Sequence, residues 1–179
     1  MAAARLYGDA NFQKFDASNV NRGHPDAMAA LLSNNEIDCH FTTAPYLQRE
    51  LAVPGVHVLL SSADVYGGPG TIGVLFAMKK FRDTNPKLIA AFIAAIEEAM
   101  AVVKNDPHGA AEAYVAVSGD NASLKDVEDV LADPTTVFDI APRGTMKVAA
   151  FMYRTRQIKV MPENWQALFE PELHGKAGS

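Results

Sequence analysis

Gly23-His24-Pro25-Asp26-Ala27-Met28-Ala29-Ala30-Leu31-Leu32 runs on to Ile37-Asp38-Cys39-His40-Phe41 and then Thr42-Thr43-Ala44-Pro45-Tyr46; the reading of this stretch decides the fold. Its first part is a helix start. Pro25 suits the opening turn, where its missing N–H needs no partner. Asp26 in the same turn favours the positive end of the helix dipole. The helix is expected to reach about Ser33, with Met28, Leu31 and Leu32 inward, and to break at Asn34-Asn35. Residues 37–41 then read as a buried strand. Thr42 or Thr43 is placed to cap the next helix, with Pro45 at its start.

Outward from this stretch the alternation continues. Residues 17–21 read as a short strand before it, and residues 56–60 and 72–78 as apolar, β-branched strands after it. Ala2 to Tyr7 looks like the end of a helix stopped by Gly8. Strand and helix thus alternate through the first 80 residues, which argues for an α/β fold with a parallel sheet. In such a sheet ligands bind outside the carboxyl ends of the strands. The second half changes character. Asn85-Pro86 opens a long helix to about Lys104, with Leu88, Ile89, Phe92, Ile93, Ile96, Met100 and Val103 on one face. Asp106-Pro107 starts another through Tyr114 and Val115. Ser123 caps a third over 124–131, and Pro142 starts a fourth to about Arg156. Residues 165–169 form a short amphipathic turn. The expected division is an α/β domain over 1–78 and a helical segment over 79–179.

Composition sets the outer limits. A chain of 179 residues holds one domain or parts of two. Hydrophobic residues at 49% and charged residues at 21% are ordinary for a globular protein. A net charge of −5 leaves no basic footprint for nucleic acid. The one cysteine, Cys39, excludes an internal disulfide framework, which suits the cytosol and a bacterial periplasm equally. No apolar run reaches the roughly 18 residues of a membrane span. Met1 to Gly8 lacks the basic segment and long apolar stretch of a signal peptide. The expectation is a chain that stays in the cytosol or begins downstream of its export signal.

His24 through Ser33, then Glu36-Ile37-Asp38 and Ala44-Pro45-Tyr46, resembles the second lobe of NMT1/SsuA-type substrate-binding proteins. These serve ABC importers for nitrate, sulfonates, taurine and related solutes. Ser61-Ser62-Ala63-Asp64 with Gly67-Gly68-Pro69 is similar to the strand and loop that follow there. Asn85-Pro86 resembles the returning segment. Asp133-Pro134, Phe138-Asp139, Phe151-Met152-Tyr153 and Trp165 through Leu173 resemble the family's C-terminal tail. The likeness covers the chain from about Asn19 onward. It implies an incomplete fold of the type II periplasmic-binding-protein kind, with one small parallel-sheet lobe and a helical C-terminal half. It also implies capture of a small anionic solute, docking on an ABC permease and a periplasmic location. The family is longer, with two lobes, and this chain offers no candidate for the first lobe's opening strands. From about Met78 the family packs on that lobe. The apolar face around Phe92 is therefore expected to be open and to favour a homo-oligomer or a swapped arrangement, or the chain to be truncated relative to its ancestor.

The candidate ligand-binding residues are His24, Thr42, Thr43, Tyr46, Tyr66, Gly67, Gly68 and Thr71. Thr42, Thr43 and Tyr46 follow a strand end, where hydroxyls and free N–H groups meet. His24 either donates to a ligand oxygen or is an exposed loop histidine. The N–H groups after Pro25 either hold an anion or are simply capped, and Asp26 offsets the attraction for an anion. Gly67-Gly68-Pro69-Gly70-Thr71 lacks the lysine of a phosphate loop; it reads as a hinge loop, as a ligand rim with Tyr66, or as both. Asp38 and His40 share a strand face, but a metal needs a third ligand, and none is visible. Cys39 is expected to be a buried small hydrophobe. No nucleophile, base and orienting acid fall at catalytic spacing, so no enzyme, cofactor or metal is expected. The leading function is the solute-binding component, or a remnant of one, of an ABC importer for a sulfonate, taurine or nitrate. The alternative is a regulatory or biosynthetic protein of the same superfamily without a transport role.

Overall fold

In the computed structural model, which describes residues 1–33, 36–119 and 122–179, the strongest local helix signals each produce a helix. The helix α1 (Ala2–Tyr7) stops at Gly8, whose φ of 85° favours glycine. Helix α2 (His24–Leu32) follows Gly23 and carries Pro25 in its first turn. The break expected at Asn34-Asn35 lies outside the described residues. Three short helices come next, α3 (Tyr46–Leu51), α4 (Ser62–Tyr66) and α5 (Lys79–Thr84). Then follow α6 (Pro86–Asn105), α7 (Pro107–Ser118), α8 (Leu124–Ala132) and α9 (Thr145–Arg154). Ser61 with Asp64 and Ser123 with Asp126 form reciprocal capping boxes on α4 and α8. The Asp106 side chain accepts from the Gly109 N–H at the start of α7. The residues 165–168 turn is also present, with Trp165 buried.

The parallel sheet is absent. Among the described residues there is no strand, so the α/β assignment is corrected to a helical one. Residues 17–21 begin in a 3₁₀ turn (Asp16–Ser18), and residues 37–41, 56–60 and 72–78 run through irregular backbone. The physical reason is that strand composition describes a chain that fits a pleated surface, while a strand exists only when a neighbour satisfies its N–H and C=O groups. None of these runs has such a neighbour among the described residues. Phe41 is 90% exposed and Cys39 is exposed, where burial was expected of both. Two helix starts also move. Pro45 itself is the N-cap of α3, with no threonine side chain bonded there, and α9 begins at Thr145 behind Gly144 rather than at Pro142.

The chain divides into two compact units, each assembled from separated segments. The first comprises residues 1–15, 60–104 and 137–179, and so holds α1, α4, α5, α6 and α9. Its buried centre combines Ala3, Ala4, Ala149 and Phe151 with Trp165. Phe12 meets Phe151 edge-on at 5.8 Å, and Arg154 pairs with Asp9 at 2.8 Å. Helix α6 half-covers Ile89, Ile93, Ile96, Met100 and Val103 along one face but leaves Leu88 and Phe92 exposed. The second unit comprises residues 16–59 and 105–136 and holds α2, α3, α7 and α8. There Ala27, Ala30 and Ala111 are buried, and Arg49 of α3 bonds Asp126 of α8 at 3.0 Å. Met28, Leu31 and Leu32 are half-buried, so the alanines of α2 rather than its large side chains mark the inward face. Both centres rely on small residues, each of which removes little apolar area from water. No helix is long and apolar enough to cross a membrane among the described residues.

Candidate functional site

The expected site residues fall into both units. His24, Thr42, Thr43 and Tyr46 belong to the second, and Tyr66, Gly67, Gly68 and Thr71 to the first. Each group has its own surroundings.

In the second unit, α2 presents His24 at its first position and α3 presents Tyr46 at its own. The two rings stack, 5.4 Å apart and inclined by 21°. Nδ1 of His24 lies 3.2 Å from Nε2 of His40. Nδ1 of His40 lies 2.7 Å from Oε1 of Glu50, the penultimate residue of α3. Glu50 is only 3% exposed, so its carboxylate needs a donor where it sits. The Nδ1–H of His40 supplies that donor. Nε2 of His40 in turn faces Nδ1 of His24, one ring nitrogen donating to the other. The result is a closed polar chain from Glu50 through His40 to His24, with Tyr46 covering the last ring. Thr42 and Thr43 do not join it. The Thr42 hydroxyl has a long 3.5 Å contact to the Thr43 carbonyl, which in turn accepts from the Leu47 N–H at 3.0 Å. Among the described residues no group of three or more His, Cys, Asp or Glu is arranged to hold a metal.

The neighbouring charges in this unit are mutually satisfied too. Asp126 is held below the ordinary carboxylate range by the Ser123 backbone N–H and by Arg49. The Arg49 guanidinium also lies 5.6 Å from the centre of the Tyr46 ring. His108 of α7 bonds Glu128 of α8 at 2.6 Å and lies 3.5 Å from Glu112. That hydrogen bond to Glu128, with the field of Glu112, raises its pKa above the ordinary histidine value.

In the first unit, Tyr66 ends α4 and Gly67 caps it in the left-handed conformation, φ 69°. Lys147 of α9 donates to the carbonyls of Tyr66 and Gly67, which fixes the loop that follows. Thr71 is locked by two bonds to Arg143. Its N–H donates to the Arg143 carbonyl at 2.9 Å, and its hydroxyl accepts from the Arg143 N–H at 2.8 Å. Thr145 and Gly144 are held in turn by Ser179, at 2.8 and 3.0 Å. Tyr66, Gly70, Thr71 and Arg143 thereby form one rim of a cavity of about 560 Å³. Its walls are apolar, with Val148, Met152, Ile158, Val160, Leu168 and Phe169 among them. Arg143 pairs with Asp139 through Nη2, but its Nε is buried and has no hydrogen-bond partner among the described residues. Gly67 and Gly68 lie outside the cavity lining.

Arg143, His40 and Glu50 were not among the expected ligand-binding residues. Arg143 stands between Pro142 and Gly144 ahead of a helix, a loop-borne charge next to apolar runs. That signal was available, but its pairing with Thr71 spans 72 residues and was not. Comparison with protein-family profiles, with curated proteins and with solved structures finds no match.

Proposed function

We propose that this chain is a binding module for a small anion with an apolar body, of the kind that solute-binding components of ABC importers capture. The observation that supports it is the cavity of the first unit, where Arg143 and Thr71 stand at the rim of an apolar wall. Ligand pockets commonly have this make-up, with mostly hydrophobic lining and a few polar groups that fix orientation. Arg143 is the charged residue of the lining, and its guanidinium would draw the head group of a carboxylate or sulfonate. An alkanesulfonate or an aromatic carboxylate fits such a lining better than nitrate or taurine, which have little apolar surface to bury. The transport role itself comes from the sequence resemblance. The chemistry of the cavity supports binding and offers no nucleophile–base pair for catalysis.

The test is thermal-shift screening of the full chain with alkanesulfonates, aromatic carboxylates, taurine and nitrate. A ligand at a hundred times its Kd stabilises the folded state by about 2.7 kcal/mol. Stabilisation by the first two classes, lost in Arg143→Ala, supports the proposal. No shift with any of the four, or an unchanged shift in Arg143→Ala, overturns it. Replacing Thr42, Thr43 and Tyr46 together by alanine separates the two units. Loss of the shift in that variant, with Arg143→Ala unaffected, would move the ligand to the second unit.

A further inference from the structure

Helix α9 begins without a cap of its own. Gly144 stands at its N-cap position with φ 68°, and no side chain there bonds to the first turn. Ser179 supplies the acceptors instead. Its Oγ accepts from the Gly144 N–H at 3.0 Å. Its main-chain oxygen accepts from the Thr145 N–H at 2.8 Å and from the Thr145 hydroxyl at 2.7 Å. The Ser179 N–H donates in return to the Pro142 carbonyl at 2.8 Å. Residues 142–145 are thus held from one side by Ser179, while Thr71 engages both main-chain groups of Arg143 from the other. The residues leading to Ser179 are fixed as well. Gly178 lies against the Trp165 indole, and a Cβ there would fall 2.6 Å from a ring carbon, so only glycine fits. Lys176 pairs with Glu97 of α6. His174 donates from Nε2 to the carbonyls of Gln166 and Phe169, each at 3.0 Å, and its ring meets Trp165 edge-on.

Both ends of this segment reach the cavity lining. Arg143, Gly144 and Thr145 belong to that lining, and so do Leu168 and Phe169, whereas none of residues 174–179 does. We propose that residues 174–179 are a strap that sets the cavity's charged rim, with Ser179 a positioning residue for Arg143, and that strap and ligand bind cooperatively. The inference rests on the cavity taking a ligand as proposed. Its physical basis is the uncapped start of α9. Without Ser179 the first N–H groups of that helix lose their acceptors, and a helix end without partners frays. Arg143 stands on the peptide just before that end, so its guanidinium shifts with it. A ligand that needs Arg143 in place therefore binds better when the strap is docked. By reciprocity the bound ligand tightens the strap by the same factor.

The test reads the strap both without ligand and with octane-1-sulfonate as the probe. In the full chain the amides of Gly144, Thr145 and Ser179 are expected to exchange slowly with deuterium, followed by NMR. Gly178→Val pushes the segment off the Trp165 ring and is expected to release all three, with helical circular dichroism unchanged. Calorimetry is expected to show octane-1-sulfonate binding that variant about tenfold more weakly. Ser179→Ala, which removes one acceptor, should weaken binding in the same direction, and Ser179→Thr, which keeps the hydroxyl, should restore it. Saturating octane-1-sulfonate should also slow exchange at the Ser179 amide, a response that a segment serving only the fold would not give. Should Gly178→Val fail to fold, the two Ser179 variants and the exchange with and without probe decide the matter. Fast exchange of the three amides in the parent chain overturns the proposal. So does equal binding by parent and variants, or a Ser179 amide indifferent to the probe. A parent chain that binds no octane-1-sulfonate overturns the ligand reading and the cooperativity together, and calorimetry on the parent alone tells that failure from the others.

Discussion

The polar cluster of the second unit and the cavity of the first both contain residues read from the sequence as ligand contacts, and they differ in one physical respect. In the cluster Glu50 meets His40, His40 meets His24 and Tyr46 stacks on the end, while Gln48 Oε1 on the same helix α3 is buried without a partner among the described residues. In the first unit a cavity of about 560 Å³ has a mostly apolar lining with one charged residue in it, Arg143. A buried polar network that is complete specifies its own packing and has little left to offer a ligand. An apolar cavity with a charged residue in its lining keeps both apolar surface and charge to offer a ligand. The difference is what the proposed reading rests on: the cluster serving the fold, the cavity serving as the site of the proposed binding.

The largest effect is expected from breaking the cluster. His40→Ala leaves the Glu50 carboxylate buried without its donor, and removal of one partner of a buried pair costs about 3–5 kcal/mol. With so much of the buried apolar set made of alanine, the second unit has little reserve. Denaturant titration followed by circular dichroism should show its transition shifted or lost. Ligand stabilisation through the first unit should persist in whatever fraction stays folded. A loss below about 1 kcal/mol would mean that water reaches Glu50 and that the network is not closed.

The next comparison works on the cavity. Arg143→Ala is expected to remove the ligand's stabilisation, about 2.7 kcal/mol at a hundred-fold excess over Kd. Its effect on the unliganded chain should stay within about 1 kcal/mol, because the pair with Asp139 is partly exposed. Met152→Trp, which fills the cavity from its wall, should block binding while leaving Arg143 in place. If Arg143→Ala instead destabilises the free chain as strongly as His40→Ala does, the arginine is structural and the contrast between the two sites collapses.

Capping gives a smaller, paired probe. Ser61 and Ser123 occupy equivalent capping boxes, one in each unit. Alanine at either should cost about 1 kcal/mol, read in the transition of its own unit. These caps are also where the sequence was most legible. Ser123 with Asp126, and Asp106 before Pro107, act over three residues, and both helix starts stand where the chain announces them. The runs at 37–41, 56–60 and 72–78 are a different case. Their composition describes what a strand is made of, but no local rule supplies the neighbour that a strand requires. The candidate sites divide in the same way. Tyr66 and Thr71 read as rim residues of a hinge loop between strands; the structure instead ends helix α4 at Tyr66 and brings both residues to a cavity lining. Arg143 joins them only through a contact that the fold creates. The stacking of His24 on Tyr46 depends on α2 meeting α3, and the burial of Glu50 depends on the same packing, so neither was written in spacing.

The smallest expected effect concerns pH and belongs to the second unit alone. His108 is solvent-accessible, and its bond to Glu128, with Glu112 beside it, raises its pKa above the ordinary value of 6.5. A group whose folded pKa is raised binds its proton more tightly in the folded chain. Its stabilising contribution is therefore complete below about pH 6.5 and is lost as pH rises through the folded value. Asp126, a shifted carboxylate on the facing helix α8, runs the other way. Its pKa is lowered, so its contribution is present at neutral pH and lost only as the medium turns acid. Between neutral and mildly alkaline pH only the histidine of this pair changes charge. The second unit's melting transition should fall slightly over that window, and His108→Gln should flatten the slope without altering the acid limb. High salt should flatten it too, since an exposed ion pair is screened. A slope that persists in His108→Gln would place the titrating group elsewhere, and the α7–α8 contact would then owe its pH response to something other than the His108–Glu128 bond.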